Sequence, residues 1–386
     1  MKILWIVHRD LHQDLNISTW TEMTKSLANR NHEITLVVLS TSGKKYYRLL
    51  PNLNVKELAV INHFPMVSIS FHLQVMILSL YWLFSIRPDV IITHPYTALF
   101  LLPANFTVKL LRLKTKYILD IRTLPVSSAS VTDKLKNSLN YLSVWFGKTF
   151  FNGITVITPA LQRIISQQFQ MDLHRIGIWM SGVNIDLFQP KLEKSKLHQR
   201  FKDLFIVMYH GVFAKNRGLL ATVQSMVYVS KQFPDINLFI IGKGSGYKKL
   251  VELVEGLNLT QYIHFHESVS YNEIPGFISQ ADVGIIPLPD ELCWRVSSPL
   301  KLFEYLAMAK PVIVSSIEAH TFILNNCRAA IFLKSTKPED IAEGIIKAYS
   351  IRKQLPQSGT EGRKFVTENF TWDHQALQLE KFITNL

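Results

Sequence analysis

Short runs of apolar residues alternate with longer amphipathic stretches along nearly the whole chain. In the first half the apolar runs are Ile3–Val7, Ile34–Leu39, Val55–Val60, Val90–Thr93, Tyr117–Asp120 and Ile154–Ile157. Helical spacing separates several of them, as at Ile17–Asn29, and a further helical stretch, Pro159–Gln168, follows the last run. Because short apolar runs separated by helices are typical of βαβ units, the pattern predicts a parallel sheet covered by helices.

A second series of the same kind begins after Pro190. Its apolar runs are Phe205–Tyr209, Asn237–Ile241, Ile263–His266, Val283–Ile286, Val312–Val314 and Ala330–Leu333. Its predicted helices are Leu219–Gln232, Tyr247–Leu257, Glu273–Gln280, Leu300–Ala309 and Pro338–Ser350. The polar segment Ser181–Arg200 lies between the two series and contains glycine, asparagine and proline, so it predicts the linker.

These two series predict two doubly wound α/β domains, residues 1–182 and 191–369. The length of 386 residues agrees with two domains of roughly 150 residues each. The tail Phe370–Leu386 predicts a terminal helix that either caps the second domain or crosses back to the first. Ligands of such sheets bind beyond the carboxyl ends of the strands, which we expect to face a shared interdomain cleft. The candidate site residues are therefore those that directly follow strands.

Charge is distributed unevenly over the two halves. The formal net charge is +13, and residues 1–150 hold 17 Lys and Arg against 8 Asp and Glu. A basic first half indicates an anionic partner, such as a membrane surface or a phosphorylated substrate. The two cysteines, Cys293 and Cys327, show neither metal-ligand spacing nor a disulfide framework, which indicates a reducing, cytoplasmic compartment.

The segment Phe64–Ile86 contains no Asp, Glu, Lys or Arg and is long enough to span a bilayer. It also contains several polar residues and leads directly into the predicted strand Val90–Thr93. A span at this position would separate that strand from the sheet begun at residue 3. We therefore predict a crossover helix within the domain, with an exposed face apolar enough to touch a membrane.

A second stretch, Val131–Phe151, combines basic and bulky apolar residues. The basic residues are Lys134, Lys136 and Lys148, and the apolar ones are Leu135, Leu139, Leu142, Trp145, Phe146 and Phe150. Lys109, Arg112, Lys114 and Lys116 precede it. Basic charge beside apolar bulk favours contact with a membrane surface over a helix that is merely half-buried. The aromatic residues match no recognisable nucleic-acid module.

Three loops that follow strands of the second half contain candidate binding residues. The loop His210–Gly218 leads into a helix, whose N-terminus can bind phosphate together with Arg217 and Lys215. Next, Gly242 and Gly244 belong to an incomplete dinucleotide-like fingerprint, which is weak alone. The backbone around Val269 would suit a nucleobase edge. Each loop also has a structural interpretation. The first would be a solvated basic loop, the second a tight turn, and the third a plain connection.

The segment Ser297–Val314 is the most informative in the chain. Pro299 suits the first turn of a helix, with Ser297 or Ser298 as its cap. On that helix Lys301 and Glu304 are neighbours at i,i+3, off the buried stripe. As a surface pair they would be a weak, solvated ion pair. Alternatively, Glu304 accepts hydrogen bonds from ribose hydroxyls and the serine-rich helix start faces phosphates.

Together these motifs resemble the retaining glycosyltransferases of the GT-B fold, family 4, also called glycosyl transferases group 1. The matching segments, in the order of the family's motifs, are Ser181–Pro190, Gly211–Gly218, Ile241–Gly244, Ala281–Pro287 and Lys301–Ile313. The resemblance is specific in the second half and diffuse in the first. It implies two facing Rossmann-like domains, and a donor site formed by Gly211, Lys215, Arg217, Gly242, Gly244, Val269, Ser298, Lys301 and Glu304.

The resemblance also implies chemistry. Arg217 would hold the diphosphate of a nucleotide sugar and Glu304 the ribose, with retention of anomeric configuration and no bound metal or other cofactor. Two positions depart from the family's pattern. The family often has a second Glu eight positions before the first, where this chain has Val296. The first loop, His8–Asn16, contains no glycine. These departures leave the contacts to the donor sugar unassigned, with Asp290, Glu291 and Arg295 nearby.

In the first domain, His94 follows the strand Val90–Thr93, and Asp120 and Arg122 close the next strand. The latter pair resembles the family's Asp-x-Arg segment. We take His94, Asp120 and Arg122 as candidate catalytic residues facing the acceptor. The structural alternatives are a histidine that only terminates a strand and an ion pair that holds the loop.

The expected function is transfer of a sugar from a UDP- or GDP-activated donor to a lipid-linked, phosphorylated or polysaccharide-precursor acceptor. The enzyme would lie on the inner face of the cell membrane as a cytoplasmic, peripheral protein of cell-envelope biosynthesis. The alternatives are a nucleotide-sugar epimerase of the same fold and a non-catalytic assembly partner.

Overall fold

The computed structural model describes residues 1–11, 18–43, 45–63, 65–124, 131–190 and 203–386, with the side chains at 131–133 and 136 excluded. The chain divides into two compact units. Unit 1 comprises Met1–Met180 and Trp372–Leu386, and unit 2 comprises Ser181–Thr371. The terminal helix thus belongs to the first unit. Residues 181–190 of the predicted linker belong to the second unit, while 191–200 lie outside the described residues.

Unit 1 contains an eight-stranded sheet in the order β3-β4-β2-β1-β5-β6-β7-β8. Its strands are β1 (Lys2–Asp10), β2 (Glu33–Ser40), β3 (Lys45–Leu50), β4 (Leu53–Ala59), β5 (Val90–Thr93), β6 (Lys116–Ile121), β7 (Gly153–Val156) and β8 (Ile176–Ile178). All neighbours pair in parallel except β3 and β4. Its helices are α1 (Ser18–Asn29), α2 (Met66–Ser85), α3 (Pro95–Ala98), α4 (Leu102–Leu110), α5 (Val131–Phe150), α6 (Pro159–Phe169) and, at the chain's end, α15 (Trp372–Asn385).

The central strands of this sheet are buried on both faces, which is why they read as continuous apolar runs. Residues 3–7 of β1 are at most 1% exposed. Right-handed crossovers place α2, α4 and α5 on one face of the sheet and α1 on the other. Helix α15 packs against α1 and β8, and Arg30 Nε donates to Glu380 at 2.7 Å. At β8, Phe382 lies so close to Gly177 that a Cβ there would meet its ring.

Helix α2 is a crossover helix, as the sequence predicts, because it connects β4 to β5 and β5 pairs with β1. Among the described helices it is the one that is long and apolar enough to cross a membrane by length and composition. About a third of that span is buried inside the protein. Its other side exposes Ile69, Leu73, Ile77, Tyr81 and Phe84, each between 44% and 66%.

Unit 2 contains a six-stranded, fully parallel sheet in the order β11-β10-β9-β12-β13-β14. Its strands are β9 (Phe205–Val212), β10 (Ile236–Lys243), β11 (Ile263–Glu267), β12 (Val283–Ile286), β13 (Val312–Ser315) and β14 (Ala330–Leu333). Its helices are α7 (Leu219–Gln232), α8 (Tyr247–Gly256), α9 (Ile274–Ile278), α10 (Leu292–Arg295), α11 (Leu300–Ala307), α12 (Glu318–Leu324), α13 (Pro338–Ser350) and α14 (Leu355–Asn369). Val207, Ile240, Ile285 and Ile313 lie in its core, each fully buried.

Two local features differ from the sequence expectation. Strand β1 continues through His8, Arg9 and Asp10, so the first loop starts later than predicted, and its residues 12–16 lie outside the described part of the chain. The predicted serine cap of α11 is wrong. Pro299 occupies the cap position with an extended backbone, and no side chain caps the helix.

Candidate functional site

The carboxyl ends of β9 and β10 bring two glycine-containing loops of unit 2 side by side. Gly211 and Gly242 are register partners at the end of the two strands, and both have positive φ, 128° and 150°. A Cβ on Gly242 would lie 1.8 Å from the carbonyl oxygen of Gly211. Gly244, at φ 156°, closes similarly on Phe213. Glycine is required here because the two backbones approach too closely for any side chain.

The two predicted cations of the loop after β9 are placed differently. Lys215 is exposed and begins a short 3₁₀ turn. Arg217 lies over the ring of Trp294, with its guanidinium 4.3 Å from the ring centroid. Its Nε is buried and, within the described chain, has no hydrogen-bond partner. Burial lowers the pKa of Arg217. Helix α7 begins directly afterwards at Leu219 without a side-chain cap, so its first N–H groups are available to an anion.

Lys301 is buried, with 8% of its surface exposed, although lysine almost never is without a partner. Its Nζ lies 3.7 Å from the centroid of the Tyr209 ring and 3.0 Å from where a Cβ on Gly211 would be. No described residue accepts a hydrogen bond from it. Burial, and secondarily Arg217, lowers its pKa well below the ordinary value. An anion bound here would restore the charge, because opposite charge favours the ionised form.

Glu304 lies one turn further along α11 and is 5% exposed. Its Oε2 is 3.3 Å from Nε2 of His210, at the end of β9, although the ring is not aligned for a hydrogen bond. Burial raises the pKa of Glu304 to about 7, opposed by Lys301, and burial lowers that of His210. The contact therefore joins two groups that each favour the neutral form. The interpretation of Lys301 and Glu304 as a solvated surface pair is excluded.

Ser298 is buried and already bonded within unit 2. Its Oγ accepts from Ser181 N at 3.1 Å, and its carbonyl accepts from Ser181 Oγ at 2.6 Å. Ser298 therefore holds the first residue of unit 2 in place. Its hydroxyl proton is still able to donate a hydrogen bond to a nucleotide sugar. Val269 is half-buried in the loop after β11, where the prediction that it touches a nucleobase stays a prediction.

The segment before α11 contains position 296, where the family often has a second glutamate and this chain has valine. Val296 is 1% exposed and therefore part of the core. Arg295 forms a bidentate pair with Asp290, at 2.6 and 3.0 Å, on the exposed side of the segment. Glu291 accepts a 3.8 Å contact from Cys293 Sγ. Position 296 contributes no polar atom to the site, and Arg295 and Asp290 are engaged with each other.

In unit 1, Asp120 ends β6 and is fully buried. Its Oδ1 accepts from Thr155 Oγ1 at 2.8 Å and from Trp179 Nε1 at 3.1 Å. Burial raises its pKa to about 6 in spite of nearby Arg122. Its Oδ2 has no partner among the residues described. Oδ1 of Asp120 therefore stabilises the fold, while Oδ2 is left to interact with a bound ligand.

Arg122 is held by Trp179 rather than by an ion pair. Its Nη1 donates to the Trp179 carbonyl at 2.7 Å, and the guanidinium lies 3.4 Å from the centroid of the same ring. Burial lowers its pKa to about 10. In the described chain, Nε and Nη2 lack acceptors. The alternative of an Asp120–Arg122 ion pair that holds the loop is not what the structure shows.

His94 lies at the carboxyl end of β5, beside the end of β6. Its ring donates to the backbone oxygen of Asp120 and meets Trp20 edge to face at 5.4 Å. Burial, with Arg9 and Arg122 adding repulsion, lowers its pKa to about 3. Nε2 has no partner in the part of the chain described. The structure brings His94, Asp120 and Arg122 together at one edge of the sheet, as a neutral imidazole beside a carboxyl group and a guanidinium.

Three site residues were not among the predicted ones. His210 directly follows the apolar run of β9, so the rule that site residues follow strands could have found it. His8 stacks on His72 at 4.9 Å, and burial lowers its pKa to about 4. Trp294 gave no such signal, because nothing in the sequence shows which cation an aromatic residue contacts.

Family comparisons agree with this geometry. The model of the glycosyl transferases group 1 matches residues 190–365, and that of glycosyltransferase family 4 matches residues 18–187. The two matches follow one another and together cover most of the chain. The chain belongs to the glycosyltransferases of the GT-B fold that resemble family 4, and the sequence prediction of fold and family is confirmed.

Individual relatives are distant. An uncharacterized glycosyltransferase of Methanocaldococcus jannaschii is 23% identical over 287 residues, 73% of this chain and 71% of the relative. The GDP-mannose-dependent alpha-(1-6)-phosphatidylinositol monomannoside mannosyltransferase of Mycobacterium tuberculosis is 20% identical over 207 residues, 52% of this chain and 54% of its own. Anabaena HepE, solved in complex with UDP and glucose, superimposes over 100% of both chains with a TM-score of 0.76 at 12% identity.

Proposed function

We propose that this glycosyltransferase takes a sugar from a UDP- or GDP-activated donor and transfers it with retention of configuration. The observation that carries the proposal is the set of buried basic groups in unit 2. Arg217 Nε and Lys301 Nζ lie beside glycine loops and an uncapped helix start, and neither has an acceptor among the described residues. Buried cations without partners are costly, and a diphosphate would satisfy both.

Chemically, the site stabilises a leaving group. As the bond to the sugar breaks, negative charge develops on the terminal phosphate of the nucleotide. Arg217, Lys301 and the first N–H groups of α7 would meet this charge without rearrangement, which is electrostatic preorganisation. Glu304 would accept from ribose hydroxyls, and no metal takes part in the proposed step. Transfer that persists in the presence of a chelator would support this part, and loss of transfer would contradict it.

Residues of unit 1 are proposed to act on the acceptor. Burial keeps His94 uncharged at physiological pH, and its Nε2, which has no partner among the described residues, can accept a hydrogen bond from a hydroxyl of the acceptor. Two nitrogen atoms of Arg122, Nε and Nη2, have no acceptor among the described residues and would hold an anionic group of the acceptor. The names of similar proteins support this choice of substrates. HepE was solved with UDP and glucose, and the mycobacterial relative is named for its dependence on GDP-mannose and for phosphatidylinositol monomannoside.

The proposed place of action is the cytoplasmic surface of the cell membrane. The apolar face of α2 is supported by exposed residues of α5: Leu135, Leu139, Leu142 and Trp145. Phe146 is buried instead, and the side chains of Val131 and Lys136 lie outside the described residues. Large exposed apolar surfaces next to basic residues suit an anionic bilayer. A lipid-linked acceptor of cell-envelope biosynthesis would be reached there.

A thermal-shift screen against nucleotide sugars tests the donor assignment. The matching donor should raise the melting temperature through mass action, and Arg217→Ala should abolish the shift while leaving the melting temperature of the free protein nearly unchanged. Absence of any shift with UDP- and GDP-sugars would contradict the proposal. Formation of an epimerised free nucleotide sugar in the absence of an acceptor would favour the epimerase. Donor binding without transfer would favour the non-catalytic assembly partner.

A further inference from the structure

A basic cavity of about 650 Å³ lies in unit 1, between the ends of α4 and α5 and the beginning of β6. Four cations line it: Lys109, Arg112, Lys114 and Lys116. None of the described residues that line it is acidic. β6 runs from Lys116 to Ile121, and Arg122 follows it. At about 3.3 Å per residue the cavity is therefore roughly 20 Å from the candidate catalytic residues.

No described carboxylate neutralises the charges in this cavity. None of the four cations forms an ion pair with a described carboxylate. Lys116 Nζ donates to the backbone oxygen of Ile383 at 3.1 Å, and Lys109 Nζ lies 4.9 Å from the centroid of the Phe150 ring. Asp89, whose backbone oxygen accepts from Lys116 N, directs its carboxylate to Lys2 N at 2.7 Å. The field at the cavity thus favours an anion.

A second, independent feature points to a ligand. Tyr117 lines the same cavity and is 1% exposed. Its hydroxyl is buried and finds no partner among the described residues, and burial raises its pKa. A buried hydroxyl without a partner costs free energy, which a bound oxygen acceptor would recover. Lysines supply point charges and Arg112 a planar fork, a combination that suits a phosphate.

Exposed apolar side chains next in sequence to lining residues Asn105, Lys109 and Arg112 favour a lipid over a soluble phosphate. On α4 and just beyond it, Phe106, Leu110 and Leu111 are 65%, 68% and 52% exposed. Phe106 and Leu110 lie four residues apart, on the same side of the helix as Lys109. Helix α4 also packs against α2, which has exposed apolar side chains of its own. Apolar side chains around a phosphate-binding cavity suit acyl chains next to a headgroup.

We propose that this cavity binds the phosphate headgroup of an anionic phospholipid, as a site separate from both the donor and the acceptor sites. The inference rests on the membrane-surface part of the proposed function and assigns it to specific residues. Lys109, Arg112 and Lys114 hold the phosphate, Tyr117 donates to one of its oxygens, and Phe106, Leu110 and Leu111 enter the acyl region.

The test is co-sedimentation with vesicles of phosphatidylcholine alone and of phosphatidylcholine mixed with phosphatidylglycerol, without donor or acceptor. The triple variant Lys109→Gln, Arg112→Gln, Lys114→Gln should bind the anionic vesicles roughly 100-fold more weakly, at about fivefold per basic residue. Lys116 is kept because it holds Ile383. The matched control, Lys231→Gln, Lys249→Gln, Lys353→Gln, removes the same charge from exposed positions of unit 2 and should change binding less than about threefold.

Tyr117→Phe separates ligand binding from folding. It should weaken vesicle binding by about threefold or more and leave the melting temperature unchanged or higher, since it removes a buried hydroxyl without a partner. Equal loss in both triple variants would refute the cavity and leave only general charge attraction. Glycerol phosphate that stabilises the protein against heat, while the cavity variant still binds vesicles normally, would overturn the lipid assignment in favour of a soluble phosphate.

The same assay separates the two proposals. Wild-type protein that binds neither kind of vesicle would refute the membrane-surface proposal itself. Wild-type binding that the cavity variant retains in full would refute only the cavity. Reduced vesicle binding with unchanged transfer to a soluble acceptor would support a site distinct from the catalytic one.

Discussion

The two sheets end in very different surroundings. At the carboxyl edge of unit 2, buried Lys301 and half-buried Arg217 lie beside closely spaced backbones. Lys301 Nζ and Arg217 Nε have no hydrogen-bond partner among the described residues. At the corresponding edge of unit 1, Arg122 and Asp120 are both anchored by Trp179. We expect the first edge, with its fixed hydrogen-bond donors, to select one kind of anion. We expect the second edge, with its neutral imidazole, to admit a wider range of acceptor molecules.

The largest expected effect separates the two loop cations of unit 2. Arg217→Ala should lower kcat/KM for transfer by about 100-fold or more, because it removes a preorganised cation from the leaving group. Lys215→Ala, two residues away but exposed, is the control and should cost less than about fivefold. Steady-state kinetics on the purified variants would decide. Similar losses for both would mean that the loop contributes only its general charge.

A second comparison uses two buried histidines whose pKa values burial lowers, His94 in unit 1 and His320 in unit 2. His320, on α12, donates through Nδ1 to the carbonyl of Ser315, the last residue of β13, at 2.8 Å. His94→Gln should reduce kcat by roughly 10- to 100-fold with little change in melting temperature. His320→Gln should lower the melting temperature and change kcat less than about threefold. The reverse pattern would make His94 a structural residue.

The pH dependence of stability tests the buried acid of unit 2. Burial raises the pKa of Glu304 from 4.5 to about 7, so the folded protein keeps a proton that the unfolded chain releases. This acid therefore lowers stability progressively as the pH rises from about 4.5 to about 7, by about 3 kcal/mol in total. Glu304→Gln should remove that slope in urea unfolding measured across this window. Parallel curves for variant and wild type would mean that Glu304 is ionised throughout.

The smallest expected effect concerns Ser298. Because its hydroxyl accepts from Ser181 N, Ser298→Ala should cost about 1 kcal/mol of stability and change the KM for donor less than about twofold. Chemical denaturation and donor titration provide the two readouts. An increase in KM of tenfold or more with unchanged stability would show that Ser298 contacts the donor. The set of donor-binding residues at the edge of unit 2 would then include Ser298.

Much of the fold was predictable because parallel strands buried on both faces appear as uninterrupted apolar runs. Helix α14 was not predicted, since Leu355–Asn369 contains proline and two glycines. Those glycines are explained by packing, because a Cβ on Gly359 would lie 2.0 Å from the Ala309 carbonyl oxygen and one on Gly362 2.6 Å from Ala329. Strand β3 was missed because its residues are mostly exposed and form no apolar run.

The site was predictable where it is local in sequence. Arg217 and Glu304 belong to short motifs whose residues are neighbours along a loop or a helix. Trp179, in contrast, is 57 residues from Arg122, and Trp294 is far from Arg217 along the chain. Contacts of this kind depend on how strands and helices pack, so no spacing rule could have assigned them. For His210, the position at a strand end could have been predicted from the sequence. Its contact with Glu304 could not, because Glu304 is on another element.

The helix α15 has a consequence for the order in which this protein can be made. Unit 1 includes residues 1–180, yet α15 covers α1 and β8, and its Phe382 fills the space above Gly177. At 5–20 residues per second, the ribosome needs roughly 10–40 s between residue 180 and this helix. During that time the surface of α1 and β8 that α15 later covers stays exposed, while all of unit 2 is synthesised. The half of the protein that is synthesised first is therefore the half that finishes folding last.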